Sequence, residues 1–94
     1  MKFEWDEEKN RENVGKHGLS FADAREIFDG PVLAAPDIRD DYGEERWIGV
    51  GFLKNFVVVV VYTEREDVIR IISLRKALKH ERARFEEAIR DGLG

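Results

Sequence analysis

The stretch Phe56-Val57-Val58-Val59-Val60-Val61-Tyr62-Thr63 decides the fold. Five consecutive valines lose side-chain freedom in a helix and fit a pleated surface, so the run reads as a strand. Its unbroken apolar character is that of a strand covered on both faces, hence a central one. Upstream, Arg46–Phe52 places Arg46, Ile48, Val50 and Phe52 on one face and Trp47, Gly49 and Gly51 on the other. That period of two predicts a second strand, and Lys54-Asn55 is the tight turn between the two. Downstream, Glu64 to Asp67 makes a charged turn and Val68–Ser73 returns as the last strand. Strands so closely spaced imply an antiparallel meander, because parallel neighbours need a long crossover.

Working outward, Val32 to Ala35 reads as a further strand and Pro36 through Gly43 as an acidic loop. Two helices precede them. Lys2–Trp5 is a short first strand, after which Asp6 can cap a helix whose first turn holds Glu7 and Glu8. That helix runs to about His17, weakened near its end by Gly15 and stopped by Gly18. Ser20 then caps a second helix carrying Phe21, Ala24, Ile27 and Phe28 at helical spacing. Asp23 completes a capping-box-like pair, and Gly30-Pro31 ends the segment. At the other end, Leu78 to Arg90 is helical, with Leu78, the Arg82 stem, Phe85 and Ile89 as its buried stripe and Gly92 as its stop. The order β-α-α-β-β-β-β-α predicts one α+β domain over residues 1–94.

Composition narrows the function. No cysteine is present, which removes disulfides and thiol nucleophiles, and His17 and His80 alone are too few soft ligands for a transition-metal site. The longest apolar run, Phe56 to Tyr62, is too short to span a bilayer, and the amino terminus lacks the order of a signal peptide. A soluble cytoplasmic protein is expected. The net charge of −4 speaks against a general nucleic-acid binder. Its distribution is uneven: residues 65–84 carry seven Lys/Arg against three Asp/Glu, while residues 1–64 carry eight against fourteen. A basic carboxy-terminal third therefore sits beside an acidic remainder.

The element order is similar to that of the RelE/ParE toxins, with an N-terminal strand and helical hairpin, a curved antiparallel sheet and a C-terminal helix. Within that superfamily the chain resembles the BrnT family of type II toxin-antitoxin toxins. The resemblance is carried by Phe3-Glu4-Trp5-Asp6 with Lys9, Asn10 and Asn13, and by Lys16-His17-Gly18 with Phe21, Ala24 and Phe28. It continues through Glu45-Arg46, Tyr62-Thr63-Glu64-Arg65, Arg70-Ile71-Ile72-Ser73, Arg75-Lys76-Ala77 and Glu81-Arg82. Two departures stand out: Leu78 takes a place where threonine is common, and Phe85 one where tyrosine is common. The first removes a helix cap and the second a phenolic hydroxyl.

The resemblance implies a ribonuclease that cuts RNA without a metal or other cofactor and arrests translation and growth. Its substrate would be message, in the ribosome's company. Its partner would be a BrnA-like antitoxin with a ribbon-helix-helix domain, through which the complex would touch operator DNA. Two other functions share the fold: a ParE-like toxin that cuts nothing, and an inactive module that binds antitoxin as a corepressor.

Metal-free cleavage requires a deprotonated 2′-hydroxyl, neutralised phosphate charge and a protonated leaving oxygen. Arg65 and Arg75 suit the phosphate because a guanidinium fork grips two oxygens and stays charged, the alternative being surface pairing with Glu64, Glu66 or Glu81. Lys76 can hold phosphate as a point charge or, beside Arg75, protonate the leaving oxygen. Glu64 is a proton-transfer candidate or a group that orients Arg65 or Arg46. His17 has the side-chain type for proton transfer near neutrality, yet its position also suits a helix cap. Arg46, Arg70, Lys79, Arg82 and Tyr62 are the candidates for RNA contact. Arg70, between Ile69 and Ile71, lines either an RNA-facing side of the sheet or plain surface, and Tyr62, like Trp5 and Trp47, either stacks bases or fills the core.

Overall fold

The computed structural model describes residues 1–92. Five strands form one sheet in the order β1-β5-β4-β3-β2. The valine run lies at its centre, within β4 (Phe56–Arg65). Its neighbours are β3 (Trp47–Leu53) and β5 (Val68–Lys76), both antiparallel to it, and β2 (Val32–Pro36) extends the meander beyond β3. β1 (Lys2–Trp5) joins the opposite edge parallel to β5, from Lys2 beside Val68 to Trp5 beside Ile71. The α+β order read from sequence is the order observed. The meander is antiparallel, and β1 makes the whole sheet mixed.

The sheet's two faces are covered differently. On one lie α1 (Glu7–His17), a 3₁₀ turn (Phe21–Asp23) and α2 (Arg25–Phe28). Leu19, Phe21, Ala24 and Ile27 from this hairpin meet Leu53, Val58, Val60, Tyr62, Ile69, Ile71 and Leu74 from the strands. Side chains as large as Phe21 and Ile27, each at 1% exposure or less, contribute about 1.5–3 kcal/mol apiece by burial. The approach is close because β3 presents glycine there: a Cβ on Gly51 would lie 2.8 Å from Ile27 Cγ2. On the opposite face α3 (Lys79–Arg90) seats Phe85 edge-on against Phe52, with ring centroids 5.0 Å apart. No described helix is long and apolar enough to cross a membrane.

Local departures from the sequence reading have local causes. The second helix is broken into the 3₁₀ turn and the four-residue α2. Ser20 does cap this segment, its Oγ accepting from Ala22 N at 3.2 Å, whereas Asp23 turns outward to Lys54 Nζ at 3.4 Å instead of completing a capping box. In α3 the buried member is Phe85; Leu78 is 56% exposed and Arg82 is also exposed. The missing threonine cap is half replaced, because Glu81 Oε1 still accepts from Leu78 N at 2.8 Å. The leucine side chain has nothing to offer in return.

The regular pairing of β5 with β4 is interrupted at one point. Tyr62 is opposite Ile71, but Val61 is opposite Ser73, so Ile72 is an extra residue and the strand bulges there. Just beyond it, β1 has already ended, and the outer edge of β5 is open. Asn13 fills the role of the missing strand: its Oδ1 accepts from Leu74 N (3.3 Å) while its Nδ2 donates to Leu19 O (2.9 Å). A buried amide thus ties α1, the hairpin joint and the bulged strand together.

Candidate active site

The bulge sets which arginines share a face. Arg70 and Arg75 are an odd number of residues apart, and in a regular strand they would point to opposite sides. The extra Ile72 reverses the alternation: Ile69, Ile71 and Leu74 all enter the hairpin-side core. Arg70 and Arg75 therefore both leave on the other face. Pairing with β5 puts Arg65, opposite Val68, on that face as well. So does the alternation of β3 for Arg46, since Gly51 and Leu53 face the hairpin. Four arginines, one from β4, two from β5 and Arg46 immediately before β3, thus emerge on the side away from the helical hairpin.

They do not converge on one point. Arg75 is opposite Val59 and Arg65 is six residues further along β4, a separation of about 20 Å at the strand rise. The two guanidinium groups expected to clamp one phosphate serve different places. At one end, Arg65 and Glu64 line a groove of about 560 Å³ with Glu4, Thr63 and Arg70. Arg70 is engaged there by Glu4 (Nη1 to Oε2, 2.8 Å), while Arg65 forms no ion pair among the described residues. Glu64 orients neither Arg65 nor Arg46. Arg46 instead lies 4.0 Å above the Tyr42 ring and 3.6 Å from Glu44.

At the other end, His17, Lys16, Arg75, Lys76 and Leu78 line a groove of about 520 Å³ along the open edge of β5. Three of the candidate catalytic residues meet here. The helix stop does not use the imidazole: Gly18, at φ 71°, closes α1 by donating to Val14 O at 2.8 Å. Arg75 grips Glu81 through both terminal nitrogens, Nη1 to Oε1 at 2.8 Å and Nη2 to Oε2 at 2.9 Å, and also donates to Lys76 O at 3.3 Å. That contact holds the Glu81 carboxyl down at about 2, and in return raises Arg75 above the ordinary arginine value. Of the five N–H groups of a guanidinium, the Nε–H and one on Nη2 stay open to a ligand.

The chain matches, over residues 5–81, the profile of the family described as the ribonuclease toxin BrnT of type II toxin-antitoxin systems. The chain belongs to the BrnT family. It is similar to the Brucella abortus ribonuclease toxin BrnT, solved at 1.1 Å resolution. The two are 30% identical with a TM-score of 0.68, over 84% of this chain and 99% of that one. No curated protein matches it in sequence. The mixed sheet with its C-terminal helix is thus a BrnT fold of the RelE/ParE-like kind, and membership brings an RNA substrate and an antitoxin partner at the level of the family. Every candidate site residue but Arg82 falls within the matched segment, and so does Leu78; Phe85 lies beyond it.

Three candidates take other positions in this BrnT-family chain. Tyr62 is corrected outright: it is 6% exposed, on the hairpin side, edge-on to Phe28 at 5.1 Å, and cannot stack a base. Burial pushes its hydroxyl pKa up. Trp5 and Trp47 likewise pack against the core. Lys79 and Arg82 are exposed on α3, with Arg82 3.6 Å from Glu86. Arg39 is a further positioned arginine, outside the candidates that the sequence offers. It is held in a fork by Asp37, at 2.8 Å through both Nε and Nη2, and Asp37 is buried at 7% exposure. Arg39 keeps the Asp37 carboxyl down at about 2. The signal available was an aspartate two residues before an arginine in an otherwise acidic loop, which singles out nothing by itself.

Proposed function

We propose that this chain is an endoribonuclease toxin that cuts RNA without a metal in the groove of His17, Arg75 and Lys76. The observation that carries the reading is the meeting of a histidine and three cations, Lys16, Arg75 and Lys76, in one groove, with Arg75 linking it to the face that displays four arginines. His17 removes the proton of a ribose 2′-hydroxyl, and the 2′-oxygen attacks phosphorus. The two open N–H groups of Arg75 hold the nonbridging oxygens as charge accumulates on them. The bond from phosphorus to the 5′-oxygen breaks, and the Lys76 ammonium protonates that oxygen. The products are a 2′,3′-cyclic phosphate and a 5′-hydroxyl end.

Arg65, Arg70 and Arg46, with Glu64 at the same end, guide the RNA strand rather than the reaction, because about 20 Å of strand separates Arg65 from Arg75. Lys79 and Arg82 add phosphate contacts from α3. A local cluster of this kind reconciles an acidic chain with a polyanionic substrate. In the cell, cleavage of message in the cytoplasm stops translation and growth, and a BrnA-like ribbon-helix-helix antitoxin neutralises the toxin and supplies the DNA contacts of the complex.

The test is cleavage of a short single-stranded RNA by the purified chain in excess EDTA, with the new 5′ ends mapped. Wild type should cut at an unchanged rate in chelator. His17→Ala should lose about a hundredfold to ten-thousandfold in kcat, the scale of a general-base contribution, and Arg75→Ala about a hundredfold to a thousandfold, the scale of a lost donor to the transition state. Growth arrest on induction with no new RNA ends would sink the reading in favour of a ParE-like toxin.

A further inference from the structure

Three of the large apolar side chains exposed among the described residues crowd one end of the sheet. Phe52 is 43% exposed, Phe56 42% and Leu78 56%, at the β3–β4 hairpin and at the start of α3. Large apolar groups left in water side by side mark a surface that something covers. Phe52 and Phe56 border a groove of about 450 Å³ lined also by Asn55, Lys76, Arg82 and Glu86, while Leu78 lines the neighbouring groove of His17 and Arg75. The Lys76 ammonium stands 4.1 Å from the Phe56 ring centroid.

We propose that this groove, at the end of the sheet where its two faces meet, is a nucleobase subsite of the RNA-binding surface, with the Phe56 ring as the stacking surface and Phe52 as a wall. The proposal deepens the ribonuclease reading and rests on it for its ligand. Aromatic faces interleaved with cations are what single-stranded nucleic acid requires, because every base has a stackable face and a charged phosphate beside it. Lys76 and Arg82 supply the charge, and only Glu86, paired with Arg82 at 3.6 Å, opposes it. An acidic or purely apolar protein segment would match the groove less well on one count or the other. Lys76 also lines the groove of His17 and Arg75. A base seated on Phe56 therefore belongs to a nucleotide next to the phosphate being cut. Asn55, at the hairpin tip, offers both an amide donor and a carbonyl acceptor to the edge of that base. This makes Asn55 the residue placed to set sequence preference. The subsite takes over the stacking role that the buried Tyr62 cannot perform.

The test measures binding of a short single-stranded RNA with 2′-O-methyl sugars, which lacks the attacking hydroxyl and cannot be cut. Phe56→Leu keeps an apolar side chain at a half-exposed position but removes the π face. Its dissociation constant should rise about tenfold, within the range of one base-aromatic stack, with the melting curve unchanged. Phe56→Tyr should bind within about twofold of wild type, since the ring is kept. An oligomer with abasic sites throughout should erase the difference between wild type and Phe56→Leu. Equal RNA affinity for wild type and Phe56→Leu overturns the subsite. Equal RNA affinity together with weakened binding of the cognate antitoxin overturns it in favour of a protein-docking surface. The two readings separate cleanly. A wild type that binds in a ring-dependent way but leaves unmodified RNA intact removes the ribonuclease alone. One that cuts RNA with a KM insensitive to Phe56→Leu removes the subsite alone.

Discussion

Glu81 joins the candidate site to the stability of the fold, and replacing it by glutamine shows by how much. Its carboxylate accepts two hydrogen bonds from Arg75 and one from Leu78 N, at 2.8–2.9 Å. These hold it at about 2, against an ordinary value of 4.5. A carboxyl whose folded value is depressed stabilises the fold fully above the unfolded value, and that contribution disappears as pH falls from about 4.5 towards about 2. A shift of about 2.5 units corresponds to about 3.4 kcal/mol at 1.36 kcal/mol per unit. Arg75 is 36% exposed and Glu81 23%, and solvent screening reduces the figure to about 1–2 kcal/mol. Urea unfolding of wild type and Glu81→Gln between about pH 7 and pH 2 reads this directly. Glutamine keeps an acceptor for Leu78 N but not the charge. The variant should be about 1–2 kcal/mol less stable at neutral pH, with the gap closing below about pH 4.5. A gap that stays constant across the titration would refute the linkage.

Two further outcomes test the packing and the arginine face. Gly51→Ala drives a methyl group into Ile27 Cγ2 and to 3.3 Å from the Pro31 carbonyl, costing about 1–3 kcal/mol; Tm should fall by about 4–8 °C per kcal/mol. Ile27→Leu, which moves the branch off Cβ, should recover part of the loss in the double variant, and an unchanged Tm in Gly51→Ala would contradict the close docking of the hairpin. Arg65→Ala should lower the slope of log affinity for single-stranded RNA against log salt by about 0.7, the value of one phosphate contact. Tyr62→Phe should leave that slope unchanged, because the ring faces the core.

The meander was legible because its signals are local. Valine repetition, alternation in Arg46–Phe52 and the two short turns each depend on neighbours a few residues away. The turns succeed with unusual residues, Lys54 and Glu66 both at φ 56°, so spacing was the better guide than turn composition. The bulge at Ile72 was not legible, because Arg70-Ile71-Ile72-Ser73 has an ordinary strand composition and only the pairing with β4 shows the extra residue. The shared face of Arg70 and Arg75 was hidden for the same reason. Tyr62 and Leu78 illustrate the opposite limit. Burial at the end of an apolar run depends on which helix lies above it: the hairpin covers Tyr62, while α3 leaves Leu78 in solvent. The chemistry of His17, Arg75 and Lys76 is legible in their residue types, but nothing in their spacing shows that β1 stops at Trp5 and leaves the edge of β5 open beside α1.

The pairing of β1 with β5 has a consequence in time. Among the described residues, 2–5 pair as a strand with residues 68–71 alone, so β1 stays unpaired until β5 has been made. Contacts this distant in sequence form late and slowly. Arg70 and Arg75 emerge in the same late segment, after β4 and its arginine. A nascent chain interrupted before β5 has no completed sheet edge, and the groove between α1 and β5 lacks one of its walls. The groove lined by His17, Arg75 and Lys76 therefore takes shape only once β5 has been made and has docked beside α1.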